Sequence, residues 1–301
     1  MKMTAKQSMS GVVLPRTSTA YQEEPSAQAV AAPQGYWRAA LPRYGVSVLL
    51  EKRAVAVNIG LSAALMAACV LYLSLGSVTL SPNAVVASLI GQGDRMTAFM
   101  VQQLRLPRLI AACFTGAAFA LAGVLMQTLA RNRLATPGII GIDNGATAFA
   151  VASIVGLGVG IAPPAMALAG ATTAAVLTFG LAAGSGTQGY RFIVAGIGVG
   201  AVFGAVTQLM LARVAIDTAN AAYPWTVGSL NARPASAVQL LGIGLALGLV
   251  AALALARSLT LLRFKDAIAS GLGTAVKARR LQVLLLSVVL TALAVAVAGP
   301  G

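Results

Sequence analysis

The chain has 301 residues, 58% hydrophobic and only 9% charged, with a mean hydropathy of +0.85. A soluble domain carries roughly a quarter of its residues as Asp, Glu, Lys and Arg, so this chain lacks the charge to cover a water-facing surface and reads as an integral membrane protein. It has no histidine, which excludes histidine catalysis and histidine metal sites, and its net charge of +14 lies between apolar runs, as membrane topology produces, rather than in a nucleic-acid-binding patch.

Taken in order, residues 1 to about 50 are polar and lack the apolar stretch of a cleaved signal peptide. A disordered cytoplasmic tail is expected over 1–53, with Tyr36, Trp37 and Tyr44 where it meets the headgroups. The domain from 54 to 301 then holds seven apolar runs: 54–75, 109–130, 139–158, 165–183, 192–212, 236–256 and 281–298. Each is near the ~20 residues a crossing helix needs. Between the first two, 76–103 is broken by Pro82 and Gly91 and is expected to be an external loop with a short helix. Residues 131–137 form a tight loop, Pro163 and Pro164 a turn, 184–191 a short loop, and 213–234 a longer one with Tyr223, Pro224 and Trp225. Residues 257–280 are polar, basic and amphipathic. With the N-terminus inside, sixteen of the 21 Lys and Arg residues fall on the cytoplasmic side and five outside, which supports that orientation. Gly196, Gly200 and Gly204, and Gly244 and Gly248, recur at four-residue intervals that let helices approach closely in lipid. Cys69 and Cys113 lie in separate apolar runs and read as small buried hydrophobes rather than metal ligands.

An ion-coupled carrier needs ionisable groups at membrane depth. Of the seven acidic residues only Asp143 falls within an apolar run, near its cytoplasmic end. None of the five lysines follows a glycine, so the phosphate-binding pattern G-x-x-x-x-G-K-[ST] is absent from the sequence. Uphill transport by this chain therefore requires energy from another subunit.

Two stretches carry chemistry. Arg105-Leu-Pro-Arg108 is expected to open the second span, with Pro107 at the first helical position. Two cations there oppose the helix dipole and the positive-inside bias. They are either anchors reaching to headgroups or receivers of an acidic partner. Residues 131–138, Arg-Asn-Arg-Leu-Ala-Thr-Pro-Gly, join the second and third spans and are either a generic turn or a specific loop.

Together, Arg105-x-Pro-Arg108, Gly116, Gly123, Gln127, Arg131-Asn132, Leu134-Ala135, Pro137, Gly141 and Gly145-Ala146 resemble the hallmark of the iron–siderophore and cobalamin ABC importer permeases. Trp225 with Gly228-Ser-Leu230, Asp266 with Ala269-x-x-Leu272-Gly273, and the final Ala298-Gly-Pro300 are similar to further motifs of that family. Arg133 stands where most relatives have Pro, and Lys265 where many have Gly. The resemblance implies an all-α polytopic bundle of the type II importer kind. About seven of the family's usual ten spans are present, so the chain is expected to be incomplete at its C-terminus. It implies a second permease subunit, identical or paralogous, two ATP-binding subunits carrying ATP and Mg, and an extracytoplasmic substrate-binding protein, in the bacterial cytoplasmic membrane. No catalytic residue, metal site, bound cofactor or nucleic acid is implied. Arg105 and Arg108 would dock the binding protein; Asp266, Ala269, Leu272 and Gly273, within 257–280, would couple to the ATPase. Without that resemblance, 257–280 reads as a basic loop on anionic lipid. The family's cargo is most often a ferric siderophore, with cobalamin or haem as alternatives. A secondary carrier or channel, or a membrane-embedded enzyme, would be a different class; for the enzyme no catalytic set is evident.

Overall fold

The computed structural model describes residues 33–41, 46–156, 160–182, 190–231 and 233–299. It divides into two compact units, Met1–Ala67 and Ala68–Gly301. Among the described residues, six helices are long and apolar enough to cross a membrane.

In the first unit, strands β1 (Tyr36–Leu41) and β2 (Val46–Glu51) form an antiparallel hairpin. Helix α1 (Lys52–Ser74) starts on the next residue. The expectation of a disordered tail over 1–53 therefore departs from the structure at 36–41 and 46–53. Trp, Tyr, Val and Leu on both sides of a Pro/Gly-containing stretch supply strand-favouring side chains. Tyr44 and residues 1–32 lie outside the described residues.

In the second unit, α2 (Pro82–Leu89) is capped by the Ser81 side chain, which accepts from the Ala84 amide. The next helix differs most from expectation. α3 (Arg95–Phe99), a π-helical segment (Met100–Arg105) and α4 (Leu106–Ala130) run as one helix of 36 residues. Arg105 and Arg108 do not open it; they lie inside it. Pro107 has no N–H and its ring would strike the carbonyl four residues back. The π-helical turn, in which the Leu106 amide bonds the Val101 carbonyl, ends at this point and gives the backbone the extra width. The expected dipole conflict at Arg105 and Arg108 does not arise, because no helix begins there.

After the loop at 131–136 come a 3-10 turn (Pro137–Ile140) and α5 (Ile142–Val155). The expected third span is thus a helix of 14 residues, about 21 Å long at 1.5 Å per residue, too short to cross by itself. Gly141 breaks it with φ of 75°. The later elements are α6 (Pro163–Leu181), α7 (Tyr190–Ala212), α8 (Ile216–Ala222), α9 (Pro224–Val227), α10 (Ala235–Leu262), α11 (Asp266–Gly271) and α12 (Val276–Ala298). Pro163 and Pro164 start α6 rather than forming a separate turn. α10 extends six residues beyond the expected end at 256, so the segment left between α10 and α12 is 263–275.

α12 is the most buried of the six long helices and packs on α4, α6 and α10. Its fully buried Ser287 hydroxyl donates to the Ala122 carbonyl of α4 at 3.0 Å. Elsewhere close approach depends on missing β-carbons. One built on Gly170 would stand 2.1 Å from the Gly145 carbonyl oxygen. One on Gly141 would stand 2.8 Å from the Gly200 amide and 2.9 Å from the Gly196 carbonyl. One on Gly116 or Gly123 would meet nothing within 4 Å. Gly170→Ala should therefore destabilise by about 1–3 kcal/mol through overpacking, measured as a lower thermal unfolding midpoint in detergent. Gly116→Ala, inside α4 with open space at its β-carbon, should be neutral or stabilising by up to about 1 kcal/mol. Equal effects would refute the α5–α6 contact.

Candidate functional site

The expected loop and coupling residues meet at one end of the second unit. α4 ends at Arg131, whose φ of 50° makes it the one non-glycine residue with positive φ among the described residues. Glycine is the usual occupant of such a position, and a side chain there costs about 1–2 kcal/mol. The guanidinium recovers it. Its Nε donates to the Leu262 carbonyl at 2.9 Å, and its Nη2 donates to the Phe264 carbonyl and to Asp266 Oδ1, the latter at 2.8 Å. Leu262 is the last residue of α10, where backbone carbonyls lack helical partners and the dipole is negative. Bonds to a charged donor contribute roughly 1.5–3 kcal/mol each, so the caps outweigh the strained backbone.

Asp266 opens α11, where a carboxylate suits the helix dipole. From the other side Arg280 of α12 clamps it, Nη1 to Oδ2 at 2.8 Å and Nη2 to Oδ1 at 2.6 Å. One carboxylate thus joins the ends of α4, α10, α11 and α12. The Arg280 hydrogen bond first, and then Arg131, hold its carboxyl below the usual carboxylate range. Arg280 is only 9% exposed, so it depends on this partner.

α11 closes as a Schellman motif, with Thr274 N–H to Ala269 O at 3.1 Å and Gly273 N–H to Ser270 O at 2.9 Å. Gly273 supplies the required φ of +79°. Ala269 is fully buried, whereas Phe264, Ile268 and Leu272, at four-residue intervals, are 49%, 51% and 60% exposed. The segment therefore turns an apolar ridge outward. Beside it Gln127, Arg131, Asn132, Arg133 and Arg263 line a cavity of about 330 Å³. Asn132 Oδ1 accepts from the Leu134 amide at 2.9 Å, shaping the loop; Ala135 is buried and Leu134 is exposed. Pro137 starts the 3-10 turn. Gly141 and Gly145 lie away from this cluster, serving the α7 and α6 contacts. Sequence reasoning counted Arg280 only as one basic residue of a loop; nothing in its spacing marked it as the partner of Asp266.

About 35 Å away, 23 residues along the helix at 1.5 Å each, is the other pair. Arg105 donates to the Leu73 carbonyl at 2.6 Å and to the Val78 carbonyl, capping the end of α1. A β-carbon at Gly76 would come within 2.7 Å of its Nη2. Arg108 is exposed and lines a cavity of about 510 Å³ with Gln102, Gln103, Asn231, Arg233 and Gln239. Arg233 stacks on Trp225, 4.4 Å from its ring centre, and donates to Ser229 O at 2.7 Å. The Ser229 amide in turn bonds Ala298 O at 2.6 Å, fastening the Trp225–Leu230 motif to the end of α12. Among the described residues no three Cys, Asp or Glu side chains are grouped to hold a metal.

Asp266→Asn should lower stability at pH 7 by about 1 kcal/mol: the carboxylate is itself 51% exposed and screened by water, and the loss falls mainly on the buried Arg280 left without its partner. A carboxyl held below its ordinary range stabilises above that range and ceases to do so as pH falls through the lowered value. The unfolding midpoints of wild type and variant should therefore converge in acid; a constant difference would refute the clamp.

The pattern of the FecCD transport family matches residues 64–300. The ferric enterobactin transport system permease protein FepG of Escherichia coli (strain K12) is 35% identical over 241 residues, covering 78% of this chain and 73% of that protein. The achromobactin transport system permease protein CbrC of Dickeya dadantii (strain 3937) is 36% identical over 237 residues, covering 78% and 68%. The Fe(3+)-citrate import system permease protein YfmE of Bacillus subtilis (strain 168) is 35% identical over 256 residues, covering 83% and 75%. A solved inward-facing metal-chelate type ABC transporter shares the fold, with a TM-score of 0.70 at 24% identity over 81% of this chain and 76% of its own. With its apolar helices and the motif loops they position, the chain belongs to the FecCD transport family.

Proposed function

We propose that the chain is the membrane-spanning permease subunit of an ATP-driven importer that carries ferric siderophore across the cytoplasmic membrane, with its N-terminus inside. The observation that carries this reading is α11, held on Asp266 by two arginines while Phe264, Ile268 and Leu272 face outward. A short helix fixed at its root, with exposed apolar residues on it and at both its ends, is suited to receive force from a docked subunit. The sequence has no phosphate-binding loop of its own, so that subunit supplies ATP hydrolysis with its bound Mg. Names of the relatives, which include ferric enterobactin, achromobactin and Fe(3+)-citrate systems, support an iron chelate as cargo.

Asp266, Ala269, Leu272 and Gly273 are then the coupling residues, acting in different ways. Asp266 is the tether, Ala269 the buried base, Leu272 the contact and Gly273 the turn. At the opposite end an extracytoplasmic binding protein docks acidic side chains on Arg108, and Arg105 positions the loop after α1 on which that surface rests. Exposed charge pairs of this kind set register and on-rate more than affinity. A second permease subunit, identical or paralogous, completes the translocation path.

Cells lacking the gene should lose uptake of radio-iron-labelled ferric siderophore, and a plasmid copy should restore it in a vanadate-sensitive manner. Restored uptake that resists vanadate but collapses with a protonophore would replace the ATP-driven reading with a secondary carrier. Arg108→Glu should lower the association rate of the loaded binding protein about tenfold, with greater loss at low than at high salt. An unchanged rate would remove Arg108 from the docking surface.

A further inference from the structure

We propose that the Tyr36–Glu51 hairpin is a membrane-surface anchor whose apolar face lies among the headgroups of a leaflet containing anionic phospholipid. It rests on α1 being a membrane span, not on the importer reading, and falls outside the residues that match the family. Cross-strand pairing joins Trp37 to Leu50, position 39 to 48 and 41 to 46. Paired positions share a face, so Trp37 and Leu50 stand side by side on one face of the ribbon. The charged strand residues Arg38 and Glu51 fall on the other face.

An isolated two-stranded hairpin is marginal in water unless its apolar face is covered, yet Trp37 and Leu50 are 53% and 42% exposed. What covers them follows from chain continuity. The strand ends at Glu51, the membrane helix begins at Lys52, and the Lys52 amide bonds the Gly35 carbonyl at 2.9 Å. With no linker, the hairpin is confined to the depth at which α1 enters the bilayer. That interface favours Trp and Tyr. Charge selects the lipid: exposed Lys52 and Arg53 begin the helix, and Lys52 Nζ stands 6.0 Å above the Trp37 ring. Residues 36–53 hold four cations against one carboxylate, a balance that attracts anionic headgroups.

The test uses the full chain in lipid nanodiscs. The sequence has two tryptophans, so the difference in fluorescence between wild type and Trp37→Phe isolates Trp37. The expected Trp37 signal is blue-shifted, quenched at least twofold by lipid brominated high on its acyl chain, and shielded from aqueous acrylamide. Quenching should deepen as phosphatidylglycerol replaces phosphatidylcholine in the unaltered chain, and Lys52→Glu with Arg53→Glu should abolish that dependence. Emission at the water value with free access to acrylamide would overturn the proposal in favour of a hairpin standing in solvent. Protection from both quenchers would overturn it in favour of a protein cover. Lipid quenching that ignores headgroup charge would overturn the anionic preference.

Discussion

The carboxylate of Asp266 is the constraint on which one end of the molecule depends. It accepts from Arg131 on the α4 side and from Arg280 on the α12 side, while Arg131 also caps the last carbonyl of α10. Four helix ends are thereby tied through one acidic side chain in a chain with only seven acids. Two cations share this one anion, and the buried Arg280 cannot lose Asp266 without leaving its charge unpaired.

The same device recurs at the far end, where Arg105 caps α1 at Leu73. Lipid offers no partner for a carbonyl, and the dipole at a helix C-terminus favours a cation. An arginine reaching back to the Leu73 carbonyl meets both needs. Between these ends the helices pack through small residues. The Gly145–Gly170 contact brings two backbones together, whereas Gly244 and Gly248 face the movable ends of Leu293 and Leu290. Glycines with the same spacing in sequence thus differ in what they enforce.

The all-α, polytopic character was legible because apolar runs of membrane length need no tertiary information. The family was legible because its loop residues recur as a set. Three features were not. The third apolar run looks continuous from 139 to 158, but whether Gly141 bends the chain depends on Gly196 and Gly200 approaching it from α7. Pro107 reads as a helix start, and only the π-helical turn before it makes a helix interior possible. Asp266 and Arg131 are separated by 135 positions, so their pairing lies beyond any local pattern. The hairpin left only a weak local signal, Val46, Val48 and Leu50 at a spacing of two interrupted by Leu49.

In the proposed function α11, rooted on Asp266, converts ATP hydrolysis into transport. The most direct measurement is cargo imported per ATP hydrolysed, in proteoliposomes holding the permease, its ATPase subunits and the loaded binding protein, compared between wild type and Asp266→Asn. Hydrolysis should persist while import per ATP falls about tenfold, within the usual span of inter-site coupling energies. An unchanged ratio would contradict it and leave Asp266 with a structural role alone.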